Sequence, residues 1–147
     1  DPGSPDARTA MSAYFAELDE RFPGGFDAGS AAALEPDAFA APSGAFVVAL
    51  TTDGDVVGAG ALRRLDDGVG EIKRMWVDPR VRGRGLSSRL LARLEDESRS
   101  RGHRVVRLDT NATLVEAIRL YRRHGYVEIE RYNDNPDAQH WFEKLLV

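Results

Sequence analysis

Residues 80–85, Arg-Val-Arg-Gly-Arg-Gly, lie between an extended segment ending near Val77 and an amphipathic run beginning at Leu86. That junction fixes a strand, a tight turn and a helix in this order. Glycines at alternate positions, Gly83 and Gly85, let the main chain approach an anion and turn successive N–H groups inward, while the helix that follows adds the positive end of its dipole. Arg80, Arg82 and Arg84 place positive charge around the turn. Taken alone, the pattern also suits a plain strand-to-helix connection, so the flanking segments must decide.

Two common phosphate cradles drop out. The mononucleotide loop needs Gly, four residues, then Gly-Lys-Ser/Thr, and no such run exists in the chain. A dinucleotide fingerprint needs a third glycine where Ser88 stands, with a second strand-loop-helix half that does not follow. What remains, Arg80, Gly83 and Gly85 spaced as Arg-x-x-Gly-x-Gly, resembles the acyl-CoA signature of the GNAT superfamily of N-acyltransferases.

The resemblance extends from Glu71 to Tyr126. Glu71-Ile-Lys-Arg-Met-Trp-Val-Asp-Pro79 is similar to the strand that precedes the loop in that family, with Asp78-Pro79 as its stop. Ile72, Met75 and Val77 do not share one parity, so strict alternation fails; a bulge near Lys73 or Arg74 is the simplest repair. Such a bulge splays this strand from the next. The resemblance implies that the splay is the slot for the pantetheine arm of the cofactor.

Downstream, Leu86, Leu90, Leu91 and Leu94 recur at helical spacing opposite Arg89, Arg93, Glu95 and Asp96, which predicts a helix to about Arg101, ended by Gly102. Arg104 to Asp109 reads as a short buried strand. Thr113 with Glu116 forms the pattern of a capping box, opening a helix that Gly125 closes after His124. Asn111, the helix with Tyr121, and Gly125-Tyr126 resemble the second half of a GNAT domain. The implied class is α/β (α+β), a mixed, mostly antiparallel sheet with a V-shaped splay between two central strands, flanked by helices.

Elsewhere the signals are weaker. Asp6 is expected to cap a helix through Phe22, with Ala10, Tyr14, Leu18 and Phe22 on one face, broken by Pro23-Gly24-Gly25. Residues 26–43 read as a loop with a short helix or turn. Gly44 to Thr52 and Val56 to Leu65 form a hairpin around Asp53-Gly54-Asp55, and Val127 to Arg131 and His140 to Leu146 supply the last strands. GNAT domains normally begin with a strand before the first helix, which the Pro- and Gly-rich first five residues do not provide. An open sheet edge leaves monomer and homodimer both possible.

Bulk properties narrow the chemistry. The 147 residues fit one domain, 1–147, with room for a sizeable core. Without cysteine there is no disulfide, no thiolate metal site and no cysteine acyl-enzyme; no metal is expected, and acetyl-CoA is the implied cosubstrate. With no membrane-span-length apolar run and no signal-peptide core, a soluble cytoplasmic protein is expected, with no membrane partner. The net charge of −4 hides an asymmetry: residues 1–70 hold 12 acids against 4 bases, residues 71–147 hold 12 acids against 16 bases. Positive potential around the cradle suits a ligand with several phosphates. Bases alternate with acids and no basic stripe with interleaved aromatics occurs, which argues against nucleic acid.

The expected site follows. A typical amine has a pKa near ~10 and is mostly ammonium at neutral pH, so a base is required. Glu71 matches the family's frequent glutamate base, acting through a water; the alternative is an ordinary charge at a strand end. His140 is a second candidate, whereas His103 and His124 are read as structural. Tyr121 resembles the general acid that returns a proton to the departing thiolate, against the alternative of a tyrosine packed in the core. Met75, Trp76 and Val77 line the pantetheine strand, with the Val77 N–H meeting the oxyanion. The N–H groups of Arg82, Gly83, Arg84, Gly85 and Leu86, helped by the Ser87 hydroxyl, hold the pyrophosphate. Asn111 bonds the pantetheine or the backbone beside it. The resemblance implies that the acceptor, a primary amine of a small molecule, amino acid or peptide, falls to Phe15, Phe22, Phe26 and Tyr132 to Asp137, where Asp134 and Asp137 can hold an ammonium. These expectations make the chain an N-acetyltransferase working by direct attack in a ternary complex, or else a non-catalytic acyl-CoA sensor.

Overall fold

A computed structural model describes residues 1–22, 24–25 and 36–146. Among them six strands form one sheet: β1 (Ala45–Leu50), β2 (Val56–Asp66), β3 (Val69–Val77), β4 (Val105–Thr110), β5 (Val127–Ile129) and β6 (His140–Leu145), in the order β1-β2-β3-β4-β6-β5. The helices among the described residues are α1 (Pro5–Arg21), α2 (Leu86–Ser100) and α3 (Val115–Arg123), with 3-10 turns at Pro36–Phe39 and Pro79–Val81. No helix among the described residues is long and apolar enough to cross a membrane. Phe26 and most of the predicted 26–43 loop lie outside the described residues.

Helix α1 starts earlier than expected. Ser4, not Asp6, is its N-cap, its hydroxyl accepting from the Ala7 N–H at 3.2 Å, because Pro5 fits the first helical position, where no N–H is needed. The predicted capping box of α3 does not form. Leu114 occupies the cap; the Thr113 hydroxyl donates to Asn111 Oδ1 at 2.8 Å, and Glu116 pairs with Arg21 at the end of α1. Glu95, expected on the solvent face of α2, is buried, accepting from the Tyr126 hydroxyl at 2.9 Å and from Lys144 Nζ at 3.0 Å.

The bulge is present and sits where the broken alternation put it. Ala59 pairs with Trp76 and Ala61 with Lys73, so two steps along β2 face three along β3. Arg74 absorbs the extra residue with φ of 59°, a left-handed backbone that non-glycine residues rarely adopt. The face parity of β3 changes across it: Ile72 and Met75, three apart, pack with the same core cluster of Leu62, Leu91, Leu94, Val106 and Leu108. Trp76 joins Ala10 and Ala59 in a second cluster under α1.

Strands β3 and β4 run parallel but pair only at Val69–Val105, Gly70–Val106 and Glu71–Arg107. Beyond that, β3 follows β2 through the bulge while β4 follows β6 to Thr110, and the sheet opens into a V. At the closed end the layers are tight. A Cβ on Gly70 would come within 2.5 Å of Ser98 Oγ and 2.6 Å of His103 Nδ1, a buried pair bonded at 2.6 Å. Gly70→Ala is therefore expected to lower the unfolding free energy by about 1–3 kcal/mol, the usual cost of overpacking. A urea titration showing an unchanged midpoint would contradict this packing of the V's closed end.

Candidate active site

A cavity of about 840 Å³ occupies the V and extends to both sides of it. One end is the turn before α2. Gly83 and Gly85 have φ of 81° and 78°, and a Cβ at either would meet no atom within 4 Å, so it is the backbone conformation that calls for glycine here. The first helical bond of α2 runs from the Arg89 N–H to the Gly85 carbonyl, which leaves the N–H groups of Leu86, Ser87 and Ser88 without an acceptor inside the helix. Two left-handed glycines before helix-start N–H groups, at the positive end of a 15-residue helix, are the backbone features from which anion nests are built.

The arginines of this turn divide their work. The Arg82 N–H turns back to the Pro79 carbonyl at 3.4 Å, and its guanidinium bonds Glu17 of α1 at 2.5 and 2.7 Å and the Val77 carbonyl at 3.0 Å. Arg80 is spent on Asp78, holding that carboxyl below its ordinary range through hydrogen bonds. Arg84 is exposed on the nest's rim.

Next along the cavity comes the free edge of β3. The Asp78 N–H donates to the Val57 carbonyl at 2.8 Å, so the neighbouring Val77–Gly58 pair is a non-hydrogen-bonded one. The Val77 N–H and C=O consequently face away from β2 and into the V. Met75, Trp76 and Val77 all line the cavity, as do Gly83, Gly85, Leu86 and Ser87. Tyr121 closes the opposite wall from α3, its ring centroid 5.8 Å from that of Tyr126 and 6.1 Å from that of Phe142. Its hydroxyl has no hydrogen-bond partner among the described residues, and burial pushes its pKa up, keeping the proton in place. Asn111 also lines the cavity, but its amide donates to the Asp137 carbonyl at 2.7 Å and its oxygen accepts from Thr113, so it ties two loops together.

At the far end lie most of the residues that sequence reading assigned to the acceptor, but not Tyr132, whose side chain is turned to Glu71. Phe15 and Phe22 line it, with Tyr14, Phe39 and residues 133–137. The Arg74 guanidinium projects here from the bulge, 4.8 Å from the Phe39 ring and 5.5 Å from that of Phe15, its pKa lowered by burial. Glu71 is elsewhere. Fully buried and outside the cavity wall, it accepts from Arg63 Nε at 2.6 Å, the Tyr132 hydroxyl at 2.6 Å and Asn133 Nδ2 at 3.4 Å. Burial and the neighbouring Glu71 push the Tyr132 phenol up. His140 bonds Glu128 at 2.6 Å, His103 bonds buried Ser98, and His124 meets Ser88 at 2.9 Å.

Of the two carboxylates on the splayed strands, the one that lines the cavity is Asp109, on β4. Sequence reading took it only as the end of a strand. Its oxygens accept from Asn133 Nδ2 at 2.6 Å and Asn135 Nδ2 at 3.3 Å, with Lys73 Nζ 3.7 Å away. Asn133 is itself fixed, its oxygen accepting from Trp141 Nε1 at 2.9 Å, so that one amide bridges Glu71 and Asp109.

Comparison with known proteins agrees with this fold. A model of the acetyltransferase (GNAT) family matches residues 11–126. An IAA acetyltransferase from Azospirillum brasilense is 38% identical over 113 residues, 76% of this chain and 73% of the relative. Matches to two further curated relatives span 48% and 59% of their lengths. Among solved structures, a GNAT-family acetyltransferase from Staphylococcus aureus superposes with a TM-score of 0.86 at 18% identity, covering 98% of this chain and 96% of that one. A structure from Salmonella typhimurium determined with its cofactor acetyl-CoA gives 0.69 at 20% identity, covering 97% and 89%. With the family model spanning most of its length, this chain belongs to the GNAT family of acetyltransferases.

Proposed function

We propose that the chain moves the acetyl group of acetyl-CoA to a primary amine of a small molecule, amino acid or peptide, by direct attack in a ternary complex. The observation that carries this reading is the V between β3 and β4, which joins the glycine nest to the acceptor end in one cavity. The nest N–H groups from Gly83 to Ser88 bind the pyrophosphate, and the free edge of β3 takes the pantetheine as a partial strand. The Val77 N–H meets the oxyanion, and Tyr121, kept protonated by burial, gives the leaving thiolate its proton. Glu71 acts from behind the wall, its charge reaching the cavity through the Asn133 bridge. The small-molecule acceptor is supported by the Azospirillum relative, itself an IAA acetyltransferase.

Gly83→Val tests the nest. A branched residue at φ of 81° costs at least about 1–2 kcal/mol and fills the space an anion needs, so acetyl-CoA affinity measured by calorimetry is expected to fall more than tenfold. Affinity within twofold of wild type would remove the nest from the binding site.

Turnover is tested by thiol release from acetyl-CoA across a panel of small amines, amino acids and short peptides. At least one should support release, and Tyr121→Phe should lower kcat by about 10²–10⁴. Tight acetyl-CoA binding with no release from any amine would favour a sensor over an enzyme.

A further inference from the structure

We propose that Asp109 is the catalytic carboxylate that meets the acceptor's ammonium and takes its proton, an assignment that rests on the acetyl-transfer reading above. Both carboxylates lie on the splayed strands, but they differ in access. Glu71 sits at the closed end, where β3 still pairs with β4, and it is fully buried outside the cavity wall. Asp109 is two residues beyond the last β3–β4 pair, where the strands have parted, and it lines the cavity.

The setting of Asp109 is that of an oriented acceptor of protons. A carboxylate has about four lone-pair sites; two are used by the Asn133 and Asn135 amides, which fix the plane of the group and leave the others for a ligand. Lys73 Nζ, at 3.7 Å, is an ion-pair neighbour of Asp109 rather than a short hydrogen bond. Tyr14 of α1, Tyr121 of α3 and Tyr132 of the loop before β6 feel the charge of Asp109, Glu71 of β3 shares Lys73 and Asn133 with it, and Arg63 of β2, Arg74 of β3, Asp134 and Asp137 line the same cavity. The three tyrosines are raised in pKa, first by burial and further by the charge of Asp109, and they stay protonated over the range in which an enzyme is assayed.

The reaction then balances as follows. The ammonium gives one proton to Asp109, and the freed nitrogen pair forms the C–N bond at the thioester carbon. The carbonyl pair moves onto oxygen opposite the Val77 N–H and returns as the C–S bond breaks. The thiolate takes the Tyr121 proton, and the second proton leaving nitrogen restores the tyrosine. One proton passes from Asp109 to solvent for each amide and free thiol formed.

The test is the pH dependence of kcat/KM for the fastest amine of the panel, between pH 6.5 and 9, for wild type, Asp109→Asn and Glu71→Gln. Without the carboxylate only amine already deprotonated in solution reacts, and that fraction is about one in a thousand at pH 7 for a pKa near ~10. Asp109→Asn should therefore lose about 10²–10⁴ at pH 7, with the deficit shrinking roughly tenfold per pH unit. Acetyl-CoA affinity should stay within twofold of wild type. Asp109→Ser, which leaves room for a water in place of the amide, should behave alike if the asparagine disturbs the Asn133–Asn135 clamp. Glu71→Gln, acting through positioning, should show a smaller loss that does not change with pH. A deficit in both Asp109 variants that is the same at every pH, or a pH-dependent deficit that follows Glu71→Gln instead, would overturn the assignment. Wild-type protein that binds acetyl-CoA yet acetylates no amine would overturn the transfer reading itself, and this step with it.

Discussion

One extra residue in β3 shapes everything else in this molecule. Because Ala59–Trp76 and Ala61–Lys73 are both paired, the intervening stretch of β3 must bend, and Arg74 takes a left-handed backbone to let it. The bend carries β3 away from β4 after three paired positions. Without it the two strands would continue side by side, their edge groups would bond to one another, and no cavity would separate them. The same bend sets Val77 so that its N–H faces the opening, and it aims Arg74 at Phe15 and Phe39 in the far end of the cavity.

Around that opening the charges are arranged as straps. Helix α1 lies across the mouth of the V and is tied to both banks: Glu17 to Arg82 of the nest turn, Arg21 to Glu116 and the Thr113 carbonyl at the start of α3. These pairs are partly exposed and contribute little to stability individually. Their effect is geometric, tying the glycine turn, the helix with Tyr121 and the cavity-lining residues of α1 together. Deeper in, one polar network runs from the closed end of the V to the point where its strands have parted: Glu71, Lys73 and Asp109 share it with Arg63, Tyr132 and Asn133.

Much of this was legible in the residues, for reasons that can be named. The bulge showed itself because Ile72 and Met75 must both reach the core, which a regular strand forbids. The nest showed itself through alternating glycines before a helix. What stayed hidden depended on partners far along the chain. Thr113 and Glu116 have the spacing of a capping box, yet Asn111 takes the threonine and Arg21, 95 residues away, takes the glutamate. Glu71 and Asp109 look alike in sequence, two acids on two strands. The parting of β3 from β4 and the loop at 132–135 distinguish them, the loop covering one with a tyrosine and clamping the other with two asparagine amides at the edge of the cavity. Glu95 was misplaced for the same reason, since Lys144 and Tyr126 draw it inward.

Amide hydrogen exchange with and without saturating coenzyme A tests most directly whether the parted strands and the turn after them hold the carrier. The predicted result is slowed exchange at the Val77 N–H and across residues 83–88, with little change along β1. No protection at these amides, or protection confined to the groove between β1 and α2, would contradict it.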